Sequence, residues 1–138
     1  NLGGTITVAG LRVTLVEAQH SSACFDDESP IYLGAPSGFI LTLEDGRVIY
    51  FAGDTDVFEG MRLIRELYHP EVAFLPIGDR FTMGPRGAAL ACDLLGVKQV
   101  VPMHYGTYPA LTGTPKELRK YVLAGIDVLE CRPGETVE

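Results

Sequence analysis

Apolar and polar residues alternate through the first third of the chain with the two-residue period of β-strands. Ala9-Gly10 and Glu44-Asp45-Gly46 interrupt the alternation with tight-turn residues, so the pattern predicts two hairpins. Their four strands are predicted at residues 5–8, 11–16, 37–43 and 47–52. The polar segment between the hairpins, residues 21–36, contains two prolines and three consecutive acidic residues, and it predicts an exposed loop.

Beyond residue 52 the pattern changes to helices that alternate with short apolar runs. Apolar residues at helical spacing predict helices over residues 56–68, 84–95 and 115–123. Continuous apolar runs predict strands over residues 72–77, 99–103 and 126–130. This order of elements predicts a layered α/β fold with a mixed sheet, and the length of 138 residues predicts one unit over residues 1–138.

Composition narrows the class of protein. The hydrophobic fraction of 46% and the charged fraction of 21% are typical of a globular domain. Because no apolar run is long enough to span a bilayer and residues 1–4 do not read as a signal peptide, we expect a cytoplasmic protein without a membrane partner. The net charge of −7 argues against a nucleic-acid backbone as partner, so a small-molecule substrate is the expectation.

Several reaction types lack their sequence signatures. The chain contains no GxGxxG or GxxxxGK[ST] phosphate loop and no GxSxG nucleophile elbow. The cysteines are Cys24, Cys92 and Cys131, and their spacing includes no CxxC pair. We therefore expect free thiols, with Cys24 the best placed of the three to bind a metal because it lies near His20.

Three residues that bind metals in many proteins follow predicted strands. His20 follows the second strand, Asp54 the fourth, and His104 the strand over residues 99–103. Imidazole and carboxylate groups suit borderline divalent ions, so zinc is the first expectation, with manganese and nickel as alternatives. Each residue also has a structural alternative, since a histidine can serve as a hydrogen-bonded side chain and Asp54 can cap the following helix.

Three further residues have less specific surroundings. Asp79 follows an apolar strand, so it is either a substrate-facing catalytic residue or an Asx-turn residue. His69 lies at a predicted helix end before Pro70, which favours a structural role. Tyr105, beside His104, either orients a ligand or packs in the core.

Three segments together resemble a known family. They are Gly53-Asp54-Thr55, the segment from Phe74 to Gly84, and Pro102-Met103-His104-Tyr105-Gly106-Thr107. They are similar to the metal-dependent hydrolase branch of the metallo-β-lactamase superfamily, and within it to uncharacterised metal-dependent hydrolases related to L-ascorbate-6-phosphate lactonase. The resemblance covers nearly the whole chain.

The resemblance implies a fold, an activity and a set of roles. The fold is the C-terminal portion of an αβ/βα sandwich, with helices flanking a mixed sheet. The activity is hydrolysis, in which metal-activated water attacks an ester, a lactone or a phosphate-bearing small molecule. By position, His20 would complete a first metal site, His104 a second, and Asp54 would bridge the two as a catalytic carboxylate.

The family's His-x-His-x-Asp-His motif, which supplies the other ligands, does not occur in this sequence. We therefore expect the partner of this chain to be an N-terminal half, in the same polypeptide or a separate one, without which the chain is inactive. The competing hypothesis is a non-catalytic half-fold or binding module that assembles with another chain. Loss of the site and association into a homo-oligomer are further alternatives.

Overall fold

A seven-stranded mixed sheet forms the centre of the protein in a computed structural model, which describes residues 1–27 and 29–136. Glu28 of the predicted loop and residues 137–138 of the predicted unit lie outside the described residues. In chain order, the strands are β1 Thr5–Val8, β2 Leu11–Glu17, β3 Ala23–Asp26, β4 Ser29–Tyr32, β5 Ser37–Thr42, β6 Val48–Phe51, β7 Val72–Pro76, β8 Gln99–Met103 and β9 Asp127–Val128. The helices are α1 Met61–Tyr68, α2 Pro85–Leu95 and α3 Pro115–Leu118.

The sheet order is β1-β2-β5-β6-β7-β8-β9. Strands β1, β2, β5 and β6 pair antiparallel, whereas β6, β7, β8 and β9 pair in parallel. Because β2 and β6 are both antiparallel to β5, they run in the same direction, and β7 and β8 share it. The prediction of an α/β fold with a mixed sheet is therefore confirmed.

Both predicted hairpins are present, as β1–β2 and β5–β6. The prediction of a loop over residues 21–36 is wrong, because β3 and β4 pair there as a separate two-stranded sheet. Every residue of these two strands is exposed, as expected for the segment. Turn-forming residues concealed the strands in the sequence, since Pro30 is paired with Phe25 inside the ladder.

Helix α1 begins five residues later than predicted, at Met61 after the N-cap residue Gly60. The physical reason is a tertiary contact, because the Asp56 N–H donates to the Gln19 carbonyl at 3.0 Å instead of entering a helical turn. Asp54 therefore lies too far from the helix to cap it. No helix of the described residues is long and apolar enough to cross a membrane.

The other two helices follow the sequence signals to different extents. Helix α2 matches its prediction, with Pro85 at its first position and Gly96 at the C-cap with φ of 65°. Helix α3 begins at Pro115 as predicted, and the Thr114 hydroxyl accepts from the Glu117 N–H at 3.2 Å. It ends at Leu118 rather than residue 123 because tighter turns follow, such as the Tyr121 N–H to the Leu118 carbonyl. Strand β9 is likewise shorter than predicted.

One face of the sheet carries the hydrophobic core. Ile40, Tyr50, Ala73 and Val100 are successive partners across β5, β6, β7 and β8, and all are buried. All three helices contribute buried residues to the same cluster, among them Met61, Ile64, Ala88, Ala91, Leu95 and Leu118. The helices therefore cover this face.

The opposite face of the same strands retains exposed apolar side chains. Phe39, Phe51 and Phe74 are successive partners across β5, β6 and β7. Phe39 is 38% exposed and Phe51 is 37% exposed, and the rings of Phe51 and Phe74 lie 5.7 Å apart. Ile6 of β1 extends this apolar surface to the sheet edge and is 63% exposed.

Tyr50 is the largest fully buried side chain, and its hydroxyl has no hydrogen-bond partner among the described residues. Burial raises the pKa of Tyr50, and the nearby charge of Glu17 raises it further. A buried hydroxyl without a partner loses its hydrogen bonds to water on folding, which reduces stability.

Replacing Tyr50 with Phe should therefore leave the free energy of unfolding unchanged or raise it by up to about 1 kcal/mol. Chemical denaturation measures this change. The matched control is Thr14→Val, which removes a hydroxyl bonded to that of Thr5 at 2.7 Å and should cost about 1 kcal/mol. A loss above about 1 kcal/mol in Tyr50→Phe would contradict the unpartnered state of the hydroxyl.

Candidate metal centre

Four residues predicted to serve the site follow strands that run in one direction. His20 lies three residues after β2, Asp54 three residues after β6, Asp79 three residues after β7, and His104 directly after β8. The carboxyl ends of β6, β7 and β8 are adjacent in the sheet. Ligands in open α/β sheets bind at such an edge.

Asp54 and His104 lie next to each other at this edge. The His104 Nε2 is 3.7 Å from the Asp54 Oδ1, which is too long for a hydrogen bond. Their side chains are accessible, at 50% exposure for Asp54 and 30% for His104. A carboxylate and an imidazole nitrogen that face each other across this gap, without bonding directly, can both contact a third group.

His104 is held in an unusual backbone conformation, with φ of 55° in the left-handed region. Its Nδ1 is buried and has no hydrogen-bond partner among the described residues. Gly78 leaves room for His104, since a Cβ on residue 78 would collide with the His104 carbonyl and lie 3.2 Å from the His104 Nδ1. The close approach of two backbones therefore fixes where the imidazole lies.

The His20 ring faces two backbone carbonyls. Its Nδ1 is 2.8 Å from the Ser21 oxygen and its Nε2 is 3.0 Å from the Phe81 oxygen. A neutral imidazole has one N–H and can donate to only one of them. Binding a metal through either nitrogen would require the ring to leave one of these carbonyls.

The predicted trio is thus only partly assembled. The structure brings Asp54 and His104 together, but no group of three His, Cys, Asp or Glu side chains in residues 1–27 and 29–136 is arranged to hold a metal ion. The assignment of His20, Asp54 and His104 as metal ligands stays a prediction. The capping alternative for Asp54 is wrong, because α1 begins at Met61.

Asp79 is exposed and has φ of 76°. It lines a pocket of about 430 Å³ at the start of α2 and α3, together with Arg86, Thr112, Glu117 and other residues. The Asp79 N–H donates to the Met83 carbonyl at 3.3 Å. A catalytic role for Asp79 stays a prediction.

The remaining residues with candidate chemistry have structural surroundings. His69 is the C-cap of α1 and its N–H donates to the Arg65 carbonyl, which agrees with a structural role. Tyr105 packs against the core, and partial burial raises its pKa. The prediction of free thiols is confirmed for Cys24, Cys92 and Cys131. Burial raises the pKa of Cys92 to about 12, so this thiol is not a reactive group.

Sequence reasoning missed two residues that shape the site. Gly78 lies in the motif from Phe74 to Gly84, but the motif gave it no role, because that role depends on His104, which lies 26 residues later. Thr55 is part of the motif Gly53-Asp54-Thr55, but the motif gave no reason to expect its complete burial, at 0% exposure. A buried polar residue directly after a candidate ligand is the signal that the structure adds.

Comparisons with known proteins place this architecture. A model of the beta-lactamase superfamily domain matches residues 1–105. A UPF0173 metal-dependent hydrolase of Solibacter usitatus is 50% identical over 139 residues, which cover 100% of this chain and 60% of that relative. The chain therefore spans less than two thirds of the length of this relative.

Solved structures of other proteins share the fold of this chain. A metallo hydrolase of the archaeon Ignicoccus hospitalis has a TM-score of 0.83 and 42% identity, over 99% of this chain and 58% of its own. A metallo-beta-lactamase fold protein of Bacillus subtilis, 13% identical, shares the fold with a TM-score of 0.73 over 100% of this chain and 54% of its own. The relation to L-ascorbate-6-phosphate lactonase stays a prediction. The family model, the half-identical relative and the common fold show that this chain belongs to the beta-lactamase superfamily.

Proposed function

We propose that this chain carries one wall of the active site of a metal-dependent hydrolase that acts on an ester, a lactone or a phosphate-bearing small molecule. The observation that carries the proposal is the facing pair of Asp54 and His104 at the carboxyl edge of the sheet. The names of its relatives support it, since they are metal-dependent hydrolases.

The donor set fits a divalent metal. Two ligands of one tetrahedral zinc ion lie about 3.3 Å apart when each bond is about 2.0–2.1 Å, close to the observed separation of the two side chains. The buried Nδ1 of His104 leaves its Nε2 as the nitrogen that faces Asp54. Zinc is our first choice, and manganese or nickel would accept the same donors.

Each residue of the candidate site would then have a distinct role. Asp54 and His104 would hold one ion, and His20 would contribute to a second ion after leaving the Phe81 carbonyl. A bound ion would lower the pKa of its water and polarise the scissile group. Asp79 and Arg86 would bind the substrate, because the pocket that they line has a size typical of small-molecule sites.

The remaining ligands and the cover of the sheet would come from polypeptide outside this chain, in the same protein or a separate one. The exposed phenylalanines on the uncovered sheet face support this partner, since contiguous apolar surface of this kind marks an interaction site. The greater length of the relatives supports it as well.

The second candidate function is a non-catalytic half-fold or binding module. The observation that favours it is the incomplete metal centre, since fewer than three potential ligands converge among the described residues. In that case the apolar face would serve assembly alone, with a different chain or with a second copy.

Zinc titration of the chain, followed by calorimetry and by imidazole NMR signals, tests the proposed centre. We expect one weakly bound ion per chain, with affinity reduced about tenfold or more in Asp54→Asn and His104→Ala, as removal of a ligand costs at least as much as loss of a supporting contact. His69→Ala is the control and should bind like the parent. Equal binding by the parent and His104→Ala would refute the assignment.

Gly78→Ala tests how His104 is positioned. The added Cβ would displace the His104 backbone, so its imidazole signals should shift and zinc affinity should fall about tenfold. Gly87→Ala is the matched control, because its Cβ would lie 3.1 Å from Met83 Cβ and require only a small adjustment. Parent-like zinc affinity in a folded Gly78→Ala variant would contradict this role.

The partner surface is tested by co-expressing the chain with the part of the Solibacter usitatus relative outside the aligned region. We expect the two to co-purify, and Phe39→Ser with Phe51→Ser to weaken the complex at least about tenfold, since burial of each ring is worth more than about 1.5 kcal/mol. The control pair is Leu63→Ser with Leu67→Ser, two exposed residues of α1. Equal losses in both pairs would show that the sheet face is not the interface.

A further inference from the structure

Thr55 connects the three segments that carry the candidate site. Its hydroxyl accepts from the Gln19 N–H at 2.9 Å and donates to the Asp56 carbonyl at 2.8 Å. Its backbone carbonyl accepts from the Met83 N–H at 3.1 Å. One fully buried residue thus bonds to the segment after β2, to its own segment after β6, and to the segment after β7.

Further backbone hydrogen bonds close the connection. The Asp56 N–H donates to the Gln19 carbonyl at 3.0 Å, so Gln19 is held through both of its peptide groups. The Asp79 N–H donates to the Met83 carbonyl at 3.3 Å. Because Gln19 precedes His20, Thr55 follows Asp54, and Met83 bonds to Asp79, each connected segment holds one residue of the candidate site.

The contact to Phe81 strengthens this arrangement. The Phe81 carbonyl, which lies 3.0 Å from His20 Nε2, belongs to the same segment that Met83 joins to Thr55. The position of the His20 ring therefore depends on two segments that are both bonded to Thr55. Ordinary helix or sheet ladders provide none of these contacts.

We infer that Thr55 is a positioning residue for the metal centre. Its hydroxyl and its carbonyl set the separation of His20, Asp54 and Asp79. The inference rests on the proposed function. The hydroxyl is the group that a variant can remove alone, since valine has nearly the shape of threonine but cannot accept from Gln19 or donate to Asp56.

Amide hydrogen exchange of the metal-free chain tests the connection without any metal. In the parent, the amides of Gln19, Asp56 and Met83 should open as one unit, with protection factors within about threefold of one another. In Thr55→Val they should exchange at least about tenfold faster, because the variant loses both hydrogen bonds of the hydroxyl. Thr55→Ser should restore the slow exchange, and the control Thr14→Val should leave these amides unchanged. Protection factors that differ by more than about tenfold in the parent would overturn the inference even if Thr55→Val does not fold.

Zinc affinity measured on the same variants tests the positioning. We expect Thr55→Val to bind about 10- to 100-fold more weakly than the parent, as for other groups that orient metal ligands, with rescue by Thr55→Ser. Parent-like affinity in Thr55→Val would overturn the inference. A parent that binds no zinc would instead refute the proposed function, while the exchange result would still report on the connection itself.

Discussion

Five strands of the sheet, β2 and β6 to β9, run in the same direction, and each residue of the candidate site follows one of the first four of them. The antiparallel pairs on either side of β5 bring β2 and β6 into a common direction, and parallel pairing extends that direction to β7 and β8. Residues 20, 54, 79 and 104 are far apart in sequence and reach one edge for this reason. If any of these strands were reversed, its residue would lie at the opposite edge.

The strand directions bring the residues to one edge, and close contacts between loops then place the side chains. Gly78 lets the backbone of His104 approach within the space that a Cβ would fill, which leaves its Nε2 facing Asp54. Thr55 joins the loops after β2, β6 and β7 by hydrogen bonds to Gln19, Asp56 and Met83. The geometry of the candidate site therefore depends on a glycine and a threonine, neither of which is a candidate metal ligand.

Sequence patterns predicted those parts of the protein that local forces decide. The turn at Ala9-Gly10 forms where the sequence predicts it, with Gly10 at φ of 82°, and Gly96 ends α2. The pairing of Asp54 with His104 followed from their places after apolar strands. The late start of α1 did not, because the Asp56 N–H bonds to Gln19, which lies 37 residues earlier. Contacts of this kind, like those of Gly78 and Thr55, depend on the folded chain and leave no local pattern.

The proposed metal centre makes the carboxyl edge of this sheet one wall of a two-metal site. Anomalous diffraction at the zinc edge, from crystals of a protein that joins this chain to the rest of a full-length relative, tests it most directly. We expect two zinc peaks, one within about 2.3 Å of donor atoms of both Asp54 and His104 and the other bonded to His20. Zinc peaks with none of these three residues as ligand would contradict it.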